Sequence, residues 1–299
     1  RDLSLWCVGA ALGWVGIPIM NANLDAINRL SIPAKIQGRV FAARNAFQFF
    51  TIPLGYFLGG LLVDAGVSAK RIETALRERE IEPDRILAVL VTHEHSDHIA
   101  GLRVLLRRYH WPVITSFGTY DALLQNGTLT EQDTVTAVPP GTITVADMEV
   151  RAFHTPHDAA ESMGFCVHTP DDRRVAIAPD MGVMTDEVRE AVRGCDLLHI
   201  ESNHVVQMLE NGPYPYPLKR RILSDRGHLS NDACAGELLS FAEQGTARFV
   251  LAHLSRENNT PELAYVTANA ALCGGGLREN ADFRLTVASP RDDNEMVVF

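Results

Sequence analysis

One short string constrains this chain more than any other: Thr92-His93-Glu94-His95-Ser96-Asp97-His98, which follows directly on the apolar run Ile86 to Val91. A buried strand that runs into three imidazoles and a carboxylate gathers those side chains in one tight loop at a sheet edge, a set that borderline metals such as zinc accept. So short a loop cannot close a dinuclear site by itself. The remaining donors must come from other strand ends, and the sequence offers them in series. His157 follows a strand ending at Phe153, Asp180 ends the strand Arg174 to Ala178, and His253 ends the strand that starts at Arg248. All three are expected at one edge of the sheet.

From Leu61 onward short apolar strands alternate with amphipathic helices, the pattern of a layered α/β domain. Leu61 to Asp64 reads as a strand end. Ser68 reads as the cap of a helix whose apolar positions are Ile72 and Leu76. Further strands are expected near 149–153, 164–168, 174–178, 197–201, 248–253 and 283–287. Helices are expected over 99–109, 186–193, 204–211, 231–244 and 261–272, with a rigid Pro-rich turn at Pro213, Pro215 and Pro217. The five cysteines (Cys7, Cys166, Cys195, Cys234, Cys273) form no C-x-x-C pair and read as reduced, buried thiols. His110, His154, His168 and His199 lie in or beside these elements without a partner pattern and read as structural.

The first 63 residues read differently, giving an expected division into 1–63 and 64–299. Leu3 to Met20 and Ala46 to Val63 are uncharged stretches of about membrane-spanning length, joined by a connection carrying Arg29, Lys35, Arg39 and Arg44. The positive-inside rule puts that connection in the cytoplasm. Gly16-Ile17-Pro18-Ile19-Met20-Asn21-Ala22-Asn23, Ile32-Pro33, Gln37-Gly38-Arg39-Val40-Phe41 and Ile52-Pro53-Leu54-Gly55-Tyr56 resemble the late transmembrane helices of a major-facilitator efflux transporter. About two helices of twelve cannot enclose a transport site, so transport by this piece alone is excluded. The string Gly59-Gly60-Leu61-Leu62-Val63-Asp64 suits either parent, which suggests a chimeric join.

Asp64, the His93 to His98 run, His157, Asp180 and His253 match in order the five motifs of the metallo-β-lactamase fold superfamily, an αββα sandwich. The finer pattern resembles its bacterial YycJ or WalJ group. It is carried by Leu62-Val63-Asp64-Ala65-Gly66, His157-Asp158-Ala159-Ala160-Glu161, Glu201-Ser202-Asn203-His204, Asn211-Gly212-Pro213-Tyr214-Pro215, Arg226-Gly227-His228-Leu229-Ser230-Asn231 and His253-Leu254-Ser255-Arg256-Glu257-Asn258-Asn259-Thr260. The resemblance implies two divalent ions, zinc or alternatively manganese. His93, His95 and His157 would hold one, Asp97, His98 and His253 the other, Asp180 would bridge them, and Asp64 would orient a ligand by hydrogen bonding. It also implies a cytoplasmic domain with nuclease activity. Two departures stand out: the strands that usually precede Asp64 are absent, so the sheet edge is expected to be bare, and Pro179 occupies a position where a small polar residue is usual.

Two metals sharing a water lower its pKa toward neutrality, which yields hydrolysis, but the ligand set does not choose among phosphodiester, thioester, lactone and β-lactam. The chain is acidic, with net charge −10, and five of its 27 Lys/Arg but only two of its 37 Asp/Glu precede Asp64. The chain is therefore a poor non-specific polyanion binder, and a nucleic-acid substrate needs a local basic patch or the metals. Lys219, Arg220, Arg221 and Arg226 form the basic cluster, leading to a helix start at Ser230 and Asn231, a ready phosphate site. His204 and His228 are free of ligand duty, and either could protonate a leaving oxygen, alongside Asp97 at the metals. The leading expectation is a phosphodiesterase or exonuclease on DNA or RNA. A lactone or thioester hydrolase is the alternative, and a membrane-transport fragment with an incidental hydrolase half is a third reading. The sequence says nothing of oligomeric state.

Overall fold

The computed structural model describes residues 57–58 and 60–288. The apolar run 3–20 and most of 46–63 lie outside them. Among the described residues no helix is long and apolar enough to cross a membrane.

Two sheets pack face to face. The first has five strands in sequential order: β1 (Phe57–Leu58), β2 (Leu61–Val63), β3 (Ala88–Leu90), β4 (Val113–Thr115) and β5 (Val135–Ala137). β2 to β5 are parallel and β1 is antiparallel to β2. The second has seven, ordered β12-β11-β10-β9-β8-β7-β6. Here β6 (Gly141–Val145), β7 (Met148–His154), β8 (Met163–His168) and β9 (Arg174–Ala178) form an antiparallel meander. From β9 the sheet continues in parallel through β10 (Leu197–Glu201), β11 (Arg248–Ala252) and β12 (Arg284–Val287).

The layering follows from the two-residue period of a strand. Leu61 and Val63 of β2 point between the sheets with Val150, Phe165 and Ile177, whereas Leu62 points outward against α1 (Ala69–Glu78) and α3 (Leu102–Tyr109). The outer face of the second sheet, through Ala176, Leu198 and Leu251, is covered by α5 (Asp186–Val192), α8 (Asn231–Glu243) and α9 (Pro261–Gly274). The result is the expected αββα order. Strands apolar on both faces, such as β3 and β9, are those buried between a helix layer and the other sheet.

Four sequence expectations need correction. The run 46–63 does not end as a membrane helix, because Leu61 to Val63 hydrogen-bond along β3 as a parallel strand. The outer edge of β2 is covered by β1, with Phe57 opposite Leu62. Ser68 stands at the cap position of α1 without a side-chain capping bond, and Cys273 is exposed rather than buried.

Every parallel strand of consequence delivers polar residues at its carboxyl end: Asp64 after β2, the histidine loop after β3, Asp180 after β9, Glu201 closing β10 and His253 after β11. The β7–β8 hairpin adds His157 from the same side, and its Met163 N–H donates to the Thr92 carbonyl at 3.0 Å, linking the sheets beside the site. The loops after β2 and β3 are in direct contact. Ala65 N–H donates to the His98 carbonyl at 2.7 Å, and a Cβ added at Gly66 would lie 1.8 Å from the Asp97 carbonyl oxygen. Gly66→Ala must therefore displace the loop that carries Asp97 and His98. Overpacking of this kind costs about 1–3 kcal/mol. The expected result is a lower urea midpoint together with fewer metal ions bound per chain, and a variant matching the wild type in both measurements would refute the constraint.

Candidate metal centre

Asp64 adopts a left-handed backbone with φ 59°, a conformation unfavourable for a residue with a Cβ, and its carboxylate is what the turn secures. It accepts Thr92 N–H at 2.8 Å, the Thr92 hydroxyl at 2.8 Å and His98 Nδ1–H at 2.8 Å. With its hydrogen given to Asp64, Thr92 Oγ1 is free to accept from His93 Nδ1, 3.1 Å away. One carboxylate thus fixes two rings with their Nε2 atoms turned inward. His157 is fixed independently, its Nδ1–H donating to the Gly227 carbonyl at 2.9 Å. Directing the bare nitrogen of an imidazole by bonding the other is how metal-ligating histidines are generally held.

The inward atoms converge on Asp180, only 1% exposed. Its Oδ2 lies 3.7 Å from His93 Nε2, 3.5 Å from His98 Nε2 and 3.6 Å from His157 Nε2, while Oδ1 is 2.6 Å from His253 Nδ1. Donor atoms of His93, His95, His157 and Asp180 all lie within 4.8 Å of one another, as do those of Asp97, His98 and His253. His93 Nε2 is buried without a hydrogen-bond partner. An orphaned atom of this kind in a pocket of imidazole and carboxylate donors fits divalent cations.

The electrostatics agree. Burial, reinforced by the neighbouring His98, pushes the His93 pKa down to about 2, and burial likewise lowers His157, so both rings are neutral and ready to bind. Burial also disfavours charge on His98, but Asp180 and Asp64 outweigh it and raise its pKa to about 10. His253 is raised in the same way by Asp180 and by its hydrogen bonds to Asp180, Asp97 and Glu201. The negative field that draws protons onto these two rings is one in which cations bind well.

Glu201 received no role from the sequence, yet it organises the far side of the site. It is fully buried. Its Oε1 accepts His228 Nδ1–H at 2.7 Å and His253 Nδ1–H at 2.8 Å, and its Oε2 accepts the backbone N–H groups of Met181 and Leu229, each at 3.0 Å. The available signal was its place as the polar end of Leu197-Leu198-His199-Ile200, beside the ends carrying Asp180 and His253. His228 consequently packs between His157 and His253, with ring centroids 5.0 and 5.2 Å away.

A cavity of about 630 Å³ opens over these groups, lined by His95, Asp97, Asp180, His228 and His253. His204 does not line it; its ring is buried and burial lowers its pKa to about 4. Of the residues expected to hold phosphate, Arg221 lines it and the other five do not. Lys219 Nζ donates to the Glu210 carbonyl, Arg226 donates to the His157 carbonyl, and Arg220 is exposed on α7 (Tyr216–Ile222). The Ser230 hydroxyl caps α8 by accepting Ala233 N–H, and the buried Asn231 carboxamide bonds Ser202 and Asn259. Among the described residues the cavity's Lys/Arg lining is Arg221 and Arg256. His154 and His168 pair with acidic side chains at the surface and His110 closes α3, as expected of structural histidines. His199 lines a neighbouring cavity of about 440 Å³ on the other side of Asp180 and His253.

Residues 60–254 match the beta-lactamase superfamily domain (Lactamase_B_2). The chain is 38% identical over 234 residues to "Exodeoxyribonuclease YycJ" of Bacillus anthracis, covering 77% of this chain and 88% of that one. It is 36% identical over 233 residues to "Exodeoxyribonuclease WalJ" of Streptococcus pneumoniae, covering 77% and 86%. In fold it is similar to Zn(2+)-bound PqqB from Methylobacterium extorquens, with TM-score 0.60, 19% identity and coverage of 89% and 94%.

Glu201→Gln keeps the shape of the buried network but weakens its grip on His253 and His228. Metal affinity measured by competition with a chelator is expected to fall about 10–100-fold, the usual effect of losing a partner behind a ligand. Unchanged affinity would show that Glu201 does not support the centre.

Proposed function

Because this chain belongs to the beta-lactamase superfamily domain family and is a metal-dependent hydrolase, we propose that it is a phosphodiesterase that removes nucleotides from the ends of DNA. One observation carries the reading: a single cavity joins both donor clusters, a carboxylate-oriented histidine and two arginines in an otherwise acidic chain. Such a lining suits an anionic diester better than a neutral ester. The two relatives named exodeoxyribonucleases, similar over more than three quarters of this chain, support it.

In this proposal His93, His95 and His157 would hold one ion and Asp97, His98 and His253 the other, with Asp180 in reach of both sets. Zinc is the first choice, given the Zn(2+)-bound relative in fold, with manganese second. When bound, the ions supply an activated water and positive charge for the phosphoryl oxygens. The protein's own groups do the rest. Asp64 and Gly227 keep the ligand rings aimed, so that little reorganisation accompanies the reaction. Glu201 accepts from Nδ1 of His228 and, outweighing the effect of burial, raises its pKa, so the imidazolium keeps a proton on Nε2 for the departing oxygen. His228 takes this role rather than His204 because it reaches the cavity.

Metal-loaded protein is expected to release nucleotides from end-labelled double- or single-stranded oligodeoxynucleotides. Full metal loading with no cleavage, or turnover of a lactone or thioester instead, would overturn the reading. His228→Ala should lower kcat by about 10²–10⁴, the usual contribution of a positioned general acid, at unchanged metal content. Wild-type turnover in that variant would remove His228 from the reaction.

A further inference from the structure

α7 ends at the rim of the cavity and places one guanidinium there. Arg221 donates through Nε and Nη2 to the two oxygens of Asp158, the second contact at 2.9 Å. Asp158 follows the expected ligand His157, and its Oδ1 lies 3.4 Å from His157 Nε2. The backbone of Arg221 is held from the same quarter. A Cβ on Gly227 would lie 2.3 Å from the Arg221 carbonyl oxygen, and the Gly227 carbonyl is the one that fixes His157. Both ends of this arginine are therefore tied to one residue of the metal centre.

An ion pair with a side chain half exposed, as Arg221 is, contributes little stability, so its consequence is chiefly orientation. A guanidinium carries five N–H donors in a fixed fork. Asp158 takes the Nε edge and leaves the Nη1 edge free, on a side chain that lines the cavity with Asp97 and Asp180. A free, rigid edge beside a hydrolytic centre matches the two unesterified oxygens of a phosphodiester. The cleaved group would sit among the metal donors on the cavity floor, whereas Arg221 stands at the rim.

We propose that Arg221, oriented by Asp158, grips the phosphodiester adjacent to the one cleaved, and so selects a polynucleotide over a small ester. This rests on the DNA phosphodiesterase reading above.

The test compares metal-loaded wild type, Arg221→Ala, Arg221→Lys, Asp158→Asn and the Arg221→Ala/Asp158→Asn double variant on a fluorescent DNA duplex, measuring Kd, KM and kcat across a salt series. Arg221→Ala is expected to raise Kd and KM roughly tenfold, as for one charge-assisted hydrogen bond, with kcat within about twofold. Its plot of log affinity against log salt should flatten by about 0.9, the signature of one lost phosphate contact. Arg221→Lys should keep the salt slope but recover only part of the affinity, because an ammonium lacks the fork. Asp158→Asn should change Kd by a factor that differs at least about threefold between the wild-type and Arg221→Ala backgrounds. That coupling marks Asp158 as acting through Arg221. Unchanged Kd, KM and salt slope in Arg221→Ala would overturn the proposal, and independent effects of the two substitutions would remove Asp158 from it. If wild type cuts the duplex and Arg221→Ala is indistinguishable from it, only this inference falls. If wild type neither binds nor cuts DNA, the parent reading falls with it.

Discussion

Two carboxylates, Asp180 and Glu201, lie almost wholly out of water at the ends of adjacent parallel strands. Burying an anion costs several kcal/mol unless it is compensated. In this fold compensation comes from a ring of imidazoles and backbone N–H groups, and it governs how the surrounding loops are built. Asp180 has His93, His98, His157 and His253 within 3.7 Å, and Glu201 accepts four hydrogen bonds. The raised pKa values of His98 and His253 express that negative field.

Holding imidazoles around a buried carboxylate requires each ring to be fixed from behind, and the fixing groups come from distant parts of the chain. Asp64 reaches the histidine loop from the end of β2, in a left-handed turn that brings the two loops close enough to require Gly66. Gly227 fixes His157 across 70 residues of sequence. Because the same Gly227 packs against the end of α7, the positions of His157 and of Arg221 are set by one contact. The rim and the floor of the cavity are thus coupled mechanically, which is what an enzyme needs if a long substrate is to be aligned on a small reacting centre.

Much of this was legible from sequence, and for an identifiable reason. Ligand residues in this fold follow directly on apolar strands, so His93 to His98, Asp180 and His253 are readable as strand ends, and the strands over 148–154, 163–168, 174–178, 197–201 and 248–252 fall where alternation and apolar runs place them. Among the elements missed, β4 is three residues beside Trp111-Pro112, α4 (Phe117–Gln125) has a Gly in its first turn and little amphipathic contrast, α7 follows Pro213 and Pro215 where a turn was expected, and β5 and β6 went unread. β1 and the covered edge of β2 were missed because Leu61 to Val63 is as apolar as a membrane span, and hydropathy does not say whether such a run pairs with a neighbour.

By itself, then, the sequence determined the αββα class and the residue types that stand at the strand ends, since both rest on local periodicity and on residue types that few other structures use. Only the tertiary structure decided which polar groups serve the centre. It placed Glu201 behind His228 and His253, brought Arg221 alone of the basic cluster to the cavity together with Arg256, and put the Ser230 hydroxyl and the Asn231 carboxamide into internal hydrogen bonds. Neighbours on one helix diverge in role because successive side chains point about 100° apart, so adjacent arginines face different surroundings. Which of them meets the cavity depends on how α7 is docked, and that docking is set by contacts tens of residues away in the chain.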